Sequence, residues 1–363
     1  MFHAQSYLPV LMHVFEDWSP HAHDGKDIFG KDASPLPFYL VRRNTAWLKG
    51  AQMVTLALSL CAAASGLFCW QKFANLQVSR SLHEVTFDAA RLKNLSHLVL
   101  VAGHAVLLAD SMEHVLQRES DWFLEPYQRG QDLPKALVSH IKSGVDLAAL
   151  DPRALLVFSG GQTRAAAGPR DEGWSYYRVA EYFSWWGHAT DGTAYLKEAQ
   201  GRGAYLAVAQ RTVTEDFALD SFQNLLFSLC RFKEVVGHYP ERVTVVSFTF
   251  KKRRFSELHR RALSFPASRF FFVGIQPPPN SRFDLQKAEQ GELQNSVRLF
   301  EEDPYGCNSK VLVEKRQARN PFQRTTPYLL SCPEIRSLLQ WCGPGIFPDA
   351  LPWSPRFTGG LPD

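Results

Sequence analysis

Five short apolar runs recur after residue 95, and they constrain the fold more than any other feature of the chain. They are HLVLVAG (97–103), ALLVFSGG (154–161), AYLAVAQ (204–210), VTVVSF (243–248) and RFFFVGI (269–275). Runs without polar alternation are typical of strands that are buried on both faces. Segments with a period near 3.6 residues separate them, at 134–143, 171–186, 215–235 and 251–263. We therefore predict an α/β fold with a Rossmann-like, doubly wound, mainly parallel sheet of about five strands.

The rest of the chain divides by composition into three further parts. Residues 1–50 are predicted to be a flexible segment, because 18–37 are rich in Pro, Gly, Asp and His without periodicity. Residues 51–70 carry no charge and predict an N-terminal hydrophobic helix, either a single transmembrane span or a helix buried in the globular domain. The α/β domain is expected over 95–275. After the break PPPN, a partly irregular C-terminal extension is expected over 276–363.

Composition excludes several classes of protein. Forty Lys and Arg stand against 36 Asp and Glu, a net charge of +4 that is too small to indicate nucleic acid as a partner. The six cysteines lack CxxC spacing, so we expect buried thiols and no metal site. The nucleotide fingerprints GxGxxG and GxxxxGK[ST] are missing, as are GxSxG and HExxH.

Small and polar residues follow the predicted strands, at the edge where parallel sheets bind ligands. Gly103 and His104 follow the first strand, and the second ends in a glycine turn that would let a ligand approach the backbone. That turn consists of Ser159, Gly160, Gly161, Gln162 and Thr163. Lys251 and Arg254 open the helix after the fourth strand and would favour an anionic group, unless they belong to a solvated basic face or to a patch beside a membrane surface.

The segment EDFALDSFQN (215–224) is predicted to begin a helix that Thr214 caps. Asp216, Asp220 and Asn224 recur every four residues and share one face of that helix. They are either ligand-binding residues or an ordinary solvated face. Acidic residues in a first turn also complement the helix dipole.

Several of these elements together resemble the YdcF/SanA/ElyC-like family, domain of unknown function 218, in its eukaryotic, largely fungal branch. The similar elements are the SGG at Ser159–Gly161, the acidic helix start at Glu172, the segment EDFALDSFQN, and SFTFKKRRF with Arg254 in the arginine place. The chain departs from the family at Asp220, Gln223 and Lys251. The resemblance covers about 96–275 and implies a Rossmann-like sheet with a conserved polar pocket. It also implies a nucleotide-like ligand, such as S-adenosylmethionine, and no established reaction.

The predicted function is a membrane-anchored α/β domain that binds a small polar, phosphate- or nucleotide-like ligand. As an enzyme it would be a hydrolase or transferase, with Glu172 or Glu215 as general base and the Gly160 and Gly161 amides stabilising an oxyanion. The alternative is a non-catalytic scaffold that retains only the pocket. Residues 51–70 would anchor the chain in an intracellular membrane, and without that anchor a cytoplasmic protein is expected. The predicted ligand-binding residues are Gly103, His104, Ser159, Gly160, Gly161, Gln162, Thr163, Asp216, Asp220, Asn224, Lys251 and Arg254.

Overall fold

A parallel five-stranded sheet forms the centre of the protein. The computed structural model describes residues 92–186 and 208–354. The parallel strands are β1 (His97–Ala102), β4 (Ala154–Ser159), β5 (Thr212–Glu215), β6 (Arg242–Phe248) and β7 (Phe270–Ile275). They lie in the order β5-β4-β1-β6-β7, and β2 (Val106–Leu107) pairs with β3 (Trp122–Phe123) in a separate antiparallel ribbon. The predicted α/β class with a mainly parallel sheet is confirmed.

Helices cover both faces of this sheet. They are α1 (Leu133–Leu150), α2 (Glu172–Tyr182) and α3 (Ser221–Val236). In β1, Leu98 and Leu100 belong to the core cluster that contains α3, whereas Val99 and Val101 belong to the cluster that contains α1 and α2. Successive side chains of a strand point to opposite faces, so both faces of β1 are buried and its sequence is apolar throughout.

The third predicted strand is wrong in position. Residues 204–207 of the predicted run lie outside the described residues, and Val208 and Ala209 are helical. The strand is instead Thr212–Glu215, which pairs in parallel with Leu156–Ser159. Thr212, Val213 and Thr214 are β-branched and favour the extended conformation. Thr214 is therefore not a helix cap, and Glu215 ends a strand.

Helix α3 begins six residues later than predicted, at Ser221. Its N-cap is Asp220, whose carboxylate accepts a hydrogen bond from the Gln223 amide at 2.9 Å. Asp216, Asp220 and Asn224 therefore do not form the predicted face of one helix. Asp216 lies in the loop between β5 and α3, Asp220 caps the helix, and Asn224 lies within it.

Two stretches of π-helix flank the carboxyl edge of the sheet. After β6 the chain forms a 3-10 turn (Thr249–Lys251), a π-helix (Arg254–His259) and the short α4 (Arg260–Ala262) before β7. The second π-helix, Leu293–Val297, lies between α5 (Leu285–Glu292) and α6 (Arg298–Glu302).

The C-terminal extension shares its core with the sheet. Beyond α6 it forms α7 (Lys310–Ala318), α8 (Tyr328–Ser331), a 3-10 turn (Pro333–Ile335) and α9 (Arg336–Leu339). Tyr328, Cys332, Ile335 and Leu338 are buried in the cluster that contains α3. The extension therefore completes one side of the fold.

The expectation of buried free thiols needs a correction. Cys230 and Cys332 are free and buried, but Cys307 and Cys342 form a disulfide with their Cα atoms 5.9 Å apart. The two positions lie 35 residues apart without a spacing motif, so pairing depends on how the extension folds.

The predicted membrane localisation also needs a correction. Among residues 92–186 and 208–354, no helix combines the length and the apolar composition that are needed to cross a bilayer. The longest described helix, α1, has 18 residues and includes Lys135, Lys142 and Asp146. The predicted span at 51–70 lies outside the described residues. The finding on the described helices contradicts the predicted single-pass localisation.

A glycine in α1 sets how closely this helix packs on the sheet. A Cβ at Gly144 would overlap Val101 of β1 and lie 3.2 Å from Leu156 of β4. We expect Gly144→Ala to lower the free energy of unfolding by about 1–3 kcal/mol, measured by urea unfolding. Gly291→Ala in α5 is the matched control, because among the described residues its Cβ would meet only Asn295, at 3.9 Å. That change should be neutral or stabilise by up to about 1 kcal/mol. Equal effects of the two substitutions would contradict this packing.

Candidate ligand-binding site

A cavity of about 590 Å³ lies at the carboxyl edge of the sheet. Gly103 and His104, which follow β1, line it together with Phe248 and Lys251 from the end of β6. β1 and β6 are the neighbouring strands at which the strand order reverses. Open parallel sheets bind ligands at this reversal, and the volume suits a small molecule.

Glu172 is a buried acid that lines the cavity. Its Oε1 accepts a hydrogen bond from the Thr163 hydroxyl at 3.1 Å. A Cβ at Gly103 would lie 2.7 Å from Glu172 Oε2, and one at Gly160 would lie 2.6 Å from the same atom. Because neither glycine has a Cβ, the Glu172 carboxylate can occupy the space beside them. Burial raises the pKa of Glu172, while Arg164 and Arg319 act against that rise.

The Gly160 and Gly161 amides have backbone partners, so they do not form the predicted oxyanion site. Gly160 N donates to the Glu215 carbonyl at 2.9 Å, and Gly161 N donates to the Ala218 carbonyl at 2.9 Å. A Cβ at Gly161 would lie 2.7 Å from the Ala218 oxygen. These glycines hold the loop after β4 against the loop after β5. Neither they nor Gln162 is among the residues that line the cavity.

Lys251 places an ammonium group inside the cavity. Its Nζ lies 3.1 Å from His104 Nδ1, and His104 Nε2 lies 3.1 Å from the Ser247 hydroxyl. Burial holds the pKa of His104 well below its ordinary value, so this imidazole is neutral. Burial, and then the charge of Arg254, lower the pKa of Lys251 to about 7. Among the described residues, no carboxylate lies within 4 Å of Lys251 Nζ.

Positive charge exceeds negative charge around the cavity. Arg254 pairs with Glu292 at 2.9 Å, and Arg164 pairs with Glu125 at 2.6 Å. In the described part of the chain, four further lining cations form no such ion pair: Lys251, Lys287, Lys315 and Arg319. Burial, and then the charge of Arg319, lower the pKa of Lys315, and Arg319 also acts on Lys251. Like charges held together without a compensating carboxylate favour an anionic ligand.

Three phenyl rings line another part of the cavity. Phe248 stacks on Phe250 and on Phe283, with ring centroids 5.2 and 5.9 Å apart. The Lys251 Nζ lies 5.5 Å from the Phe248 ring. Flat apolar surface therefore adjoins the cations, an arrangement that suits a ligand with a planar group and an anionic group.

Glu215, Asp216 and Asp220 hold the C-terminal extension, and we call these three residues the acidic clamp. Glu215 Oε1 accepts a hydrogen bond from the Tyr328 hydroxyl at 3.1 Å. Asp216 pairs with Arg324 at 2.9 Å, and Asp220 pairs with Arg316 at 2.6 Å. All three partners belong to the extension.

Glu215 is fully buried. Its Oε2 accepts from the Ser159 hydroxyl at 2.7 Å, and the Ser159 oxygen accepts from Asn224 Nδ2 at 2.9 Å. Its Oε1 also accepts from the Phe217 amide at 2.9 Å. Burial raises the pKa of Glu215 to about 7. Because protein groups occupy both oxygens, the geometry does not place Glu215 as a base for a ligand.

The predicted site residues therefore fall into two groups. Those that line the cavity are Gly103, His104, Thr163, Glu172, Asp220, Asn224, Lys251 and Arg254. Those that do not are Ser159, Gly160, Gly161, Gln162, Glu215 and Asp216.

Sequence reasoning missed the lining residues of the extension. Phe283, Lys287, Lys315 and Arg319 all follow residue 276, in the extension that we expected to be partly irregular and for which we predicted no site residue. One signal was present: Lys315 and Arg319 are four residues apart, a spacing that puts both side chains on one face of a helix.

Both π-helices contribute to the lining. Arg254 comes from the first, and Asn295 and Ser296 come from the second. Single π-turns within helices occur frequently at functional sites, because the wider turn re-aims side chains.

The fold and the cavity together define an α/β protein with a cation-lined cavity at the carboxyl edge of a parallel sheet. The uncharacterized protein YOR238W of Saccharomyces cerevisiae is 30% identical over 260 residues, which are 64% of this chain and 86% of the yeast protein. The chain belongs to the same family as this yeast protein. No family model matches the chain, so the resemblance to the YdcF/SanA/ElyC-like family stays a prediction. No solved structure matches it either.

Loss of one clamp contact should destabilise the fold. In Arg316→Ala, the Asp220 carboxylate, whose side chain is only 7% exposed, loses its cation. We expect the free energy of unfolding to fall by about 3 kcal/mol in urea titration, because an uncompensated buried charge remains. Arg253→Ala is the matched control, since its pair with Glu301 is well exposed and should contribute less than about 1 kcal/mol. A loss no larger in Arg316→Ala than in Arg253→Ala would show that the clamp adds nothing to stability.

Proposed function

We propose that the protein binds a small phosphate-bearing, nucleotide-like ligand in the cavity at the carboxyl edge of the sheet. The observation that carries this proposal is the group of Lys251, Lys315 and Arg319, which converge on the cavity without carboxylate partners among the described residues. An anion with several oxygens would satisfy their donors and their charge together. This edge of a doubly wound sheet is also where nucleotides bind in other proteins.

The chemistry of the lining favours a phosphate ester over S-adenosylmethionine. The sulfonium of S-adenosylmethionine is itself a cation, and cations here outnumber the acids that could compensate it. The stacked rings of Phe248, Phe250 and Phe283 offer apolar surface to a base or another planar group. A nucleoside diphosphate combines both chemical features.

Lys251 should control affinity for the anion. We expect calorimetry on the full chain to detect binding of pyrophosphate and ADP, weakened at least about tenfold in Lys251→Ala. Lys252→Ala is the matched control, because its exposed side chain is not part of the lining. If the two variants lose affinity equally at constant ionic strength, the attraction is general and the proposed site is wrong.

The charge of Lys251 also predicts a pH dependence. A lysine with a pKa of about 7 is charged below that pH, and an anion favours the charged form. Affinity for sulfate, whose own charge is constant in this range, should therefore fall between about pH 6 and about pH 8.5. Lys251→Arg should remove most of this dependence, because a guanidinium stays charged. The groups that act on Lys251 are Arg254, Glu292, Glu172 and Arg319.

If the protein is an enzyme, we propose a hydrolase or transferase in which Glu172 moves the proton. Its carboxyl lines the cavity, and burial raises its pKa toward the range of useful acid–base catalysts. A non-catalytic binding protein is the second candidate. The observation that favours it is the pairing of the Gly160 and Gly161 amides with backbone carbonyls, which leaves these two donors no part in stabilising an oxyanion.

Glu172→Gln separates the two candidates. In an enzyme, phosphate release from nucleoside diphosphates or triphosphates should fall by about 10²–10⁴-fold while pyrophosphate binding is kept. Glu289→Gln, an exposed change away from the lining, should keep the wild-type rate. Binding without any release by the wild-type chain would instead support the non-catalytic protein. Equal turnover in wild type and Glu172→Gln would remove Glu172 from the chemistry.

A further inference from the structure

A serine and a histidine that no sequence pattern singled out meet at the wall of the cavity. Ser221, the first residue of α3, lines the cavity, and its Oγ lies 2.8 Å from His259 Nε2. His259 is the last residue of the π-helix that begins with Arg254. The contact therefore joins the two segments that enclose this side of the cavity.

Apolar rings enclose the imidazole of His259. Its centroid lies 4.6 Å from that of Phe300, 5.5 Å from Phe255 and 5.7 Å from Phe222. The residue is fully buried. Burial, and then the charge of Arg254, hold the pKa of His259 well below its ordinary value. The ring is therefore neutral and carries one N–H.

The position of that N–H follows from the second ring nitrogen. His259 Nδ1 is buried and has no hydrogen-bond partner among the described residues. A proton on Nδ1 would leave a buried donor without an acceptor, which is rarer and more costly in proteins than an unsatisfied acceptor. The favoured tautomer carries the proton on Nε2, so His259 donates to Ser221 Oγ.

This assignment decides what the serine does. Since Ser221 Oγ accepts from His259, its own proton is free to donate to another group. Among the described residues, His259 is the hydrogen-bond partner of Ser221 Oγ, and Ser221 lines the cavity. With its proton on Nε2, His259 has no lone pair at this nitrogen to accept the serine proton, which argues against Ser221 as an activated nucleophile.

We infer that Ser221 donates its hydroxyl hydrogen bond to the anionic group of the cavity ligand and that His259 fixes the hydroxyl in this orientation. Ser221 is thus a binding residue and His259 a positioning residue. The inference rests on the proposed anion site and adds one neutral donor to its cations.

Calorimetric titration of the full chain with pyrophosphate tests the serine. Ser221→Ala should weaken binding about tenfold, and Ser221→Thr, which keeps the hydroxyl, should bind within about twofold of wild type. Ser256→Ala is the matched control, since Ser256 lies in the π-helix that contains His259 and does not line the cavity. Wild-type affinity in Ser221→Ala, with the loss in Lys251→Ala intact, would overturn the inference and leave the anion site standing. If the wild-type chain binds neither pyrophosphate nor sulfate, the proposed function and this inference both fail.

Two further variants test the histidine. His259→Gln can place an amide N–H near the former Nε2 and should keep most of the affinity, whereas His259→Leu should lose about as much as Ser221→Ala. In the full chain labelled with ¹⁵N-histidine, the NMR signals that disappear in His259→Gln should be those of an Nε2–H tautomer. Signals of an Nδ1–H tautomer would overturn the assignment independently of any ligand.

Discussion

The acidic clamp is the interaction on which the rest of the site depends. Glu215, Asp216 and Asp220 lie within six residues of one another and hold Tyr328, Arg324 and Arg316 of the C-terminal extension. Asp220 also caps α3, so one carboxylate fixes the start of a core helix and the position of α7. Because the burial of a charge is costly without a partner, the buried Asp220–Arg316 pair favours the docked position of the extension.

The docked extension determines the charge of the cavity. Arg316 lies in α7 between Lys315 and Arg319, so the arginine that pairs with Asp220 sets the position of the two cations beside it. The Arg319 guanidinium also donates to the Leu219 carbonyl at 3.1 Å, in the same loop as the clamp. The sheet edge contributes Lys251, and the extension contributes most of the remaining unpaired charge. A domain that ended at β7 would have an open edge rather than a cavity with this lining.

The strands that could be predicted from sequence are those whose residues form a continuous apolar run, including β7 at the edge of the sheet. The strands β1, β4 and β6 lie inside the sheet, so their side chains are apolar on both faces and their bounds were nearly right. β5 lies at the edge and includes Thr212, Thr214 and Glu215, so its composition did not mark it as a strand. For the same reason, Asp216 and Asp220 were predicted to lie within the following helix. Their partners lie about 100 residues further along, and only the tertiary fold brings them together.

The glycine turn after β4 shows why a motif alone does not determine its chemistry. Two adjacent glycines fit an anion-binding turn and a tight packing contact equally well, because both need backbone without a side chain. Here the amides of Gly160 and Gly161 donate hydrogen bonds to carbonyls of neighbouring segments, and the absence of a Cβ at Gly160 leaves room for Glu172. Gly103, at the end of β1, leaves room on the other side of the same carboxylate. The turn therefore positions an acid at the cavity wall, while the groups able to attract an anion come from the helix after β6 and from α7.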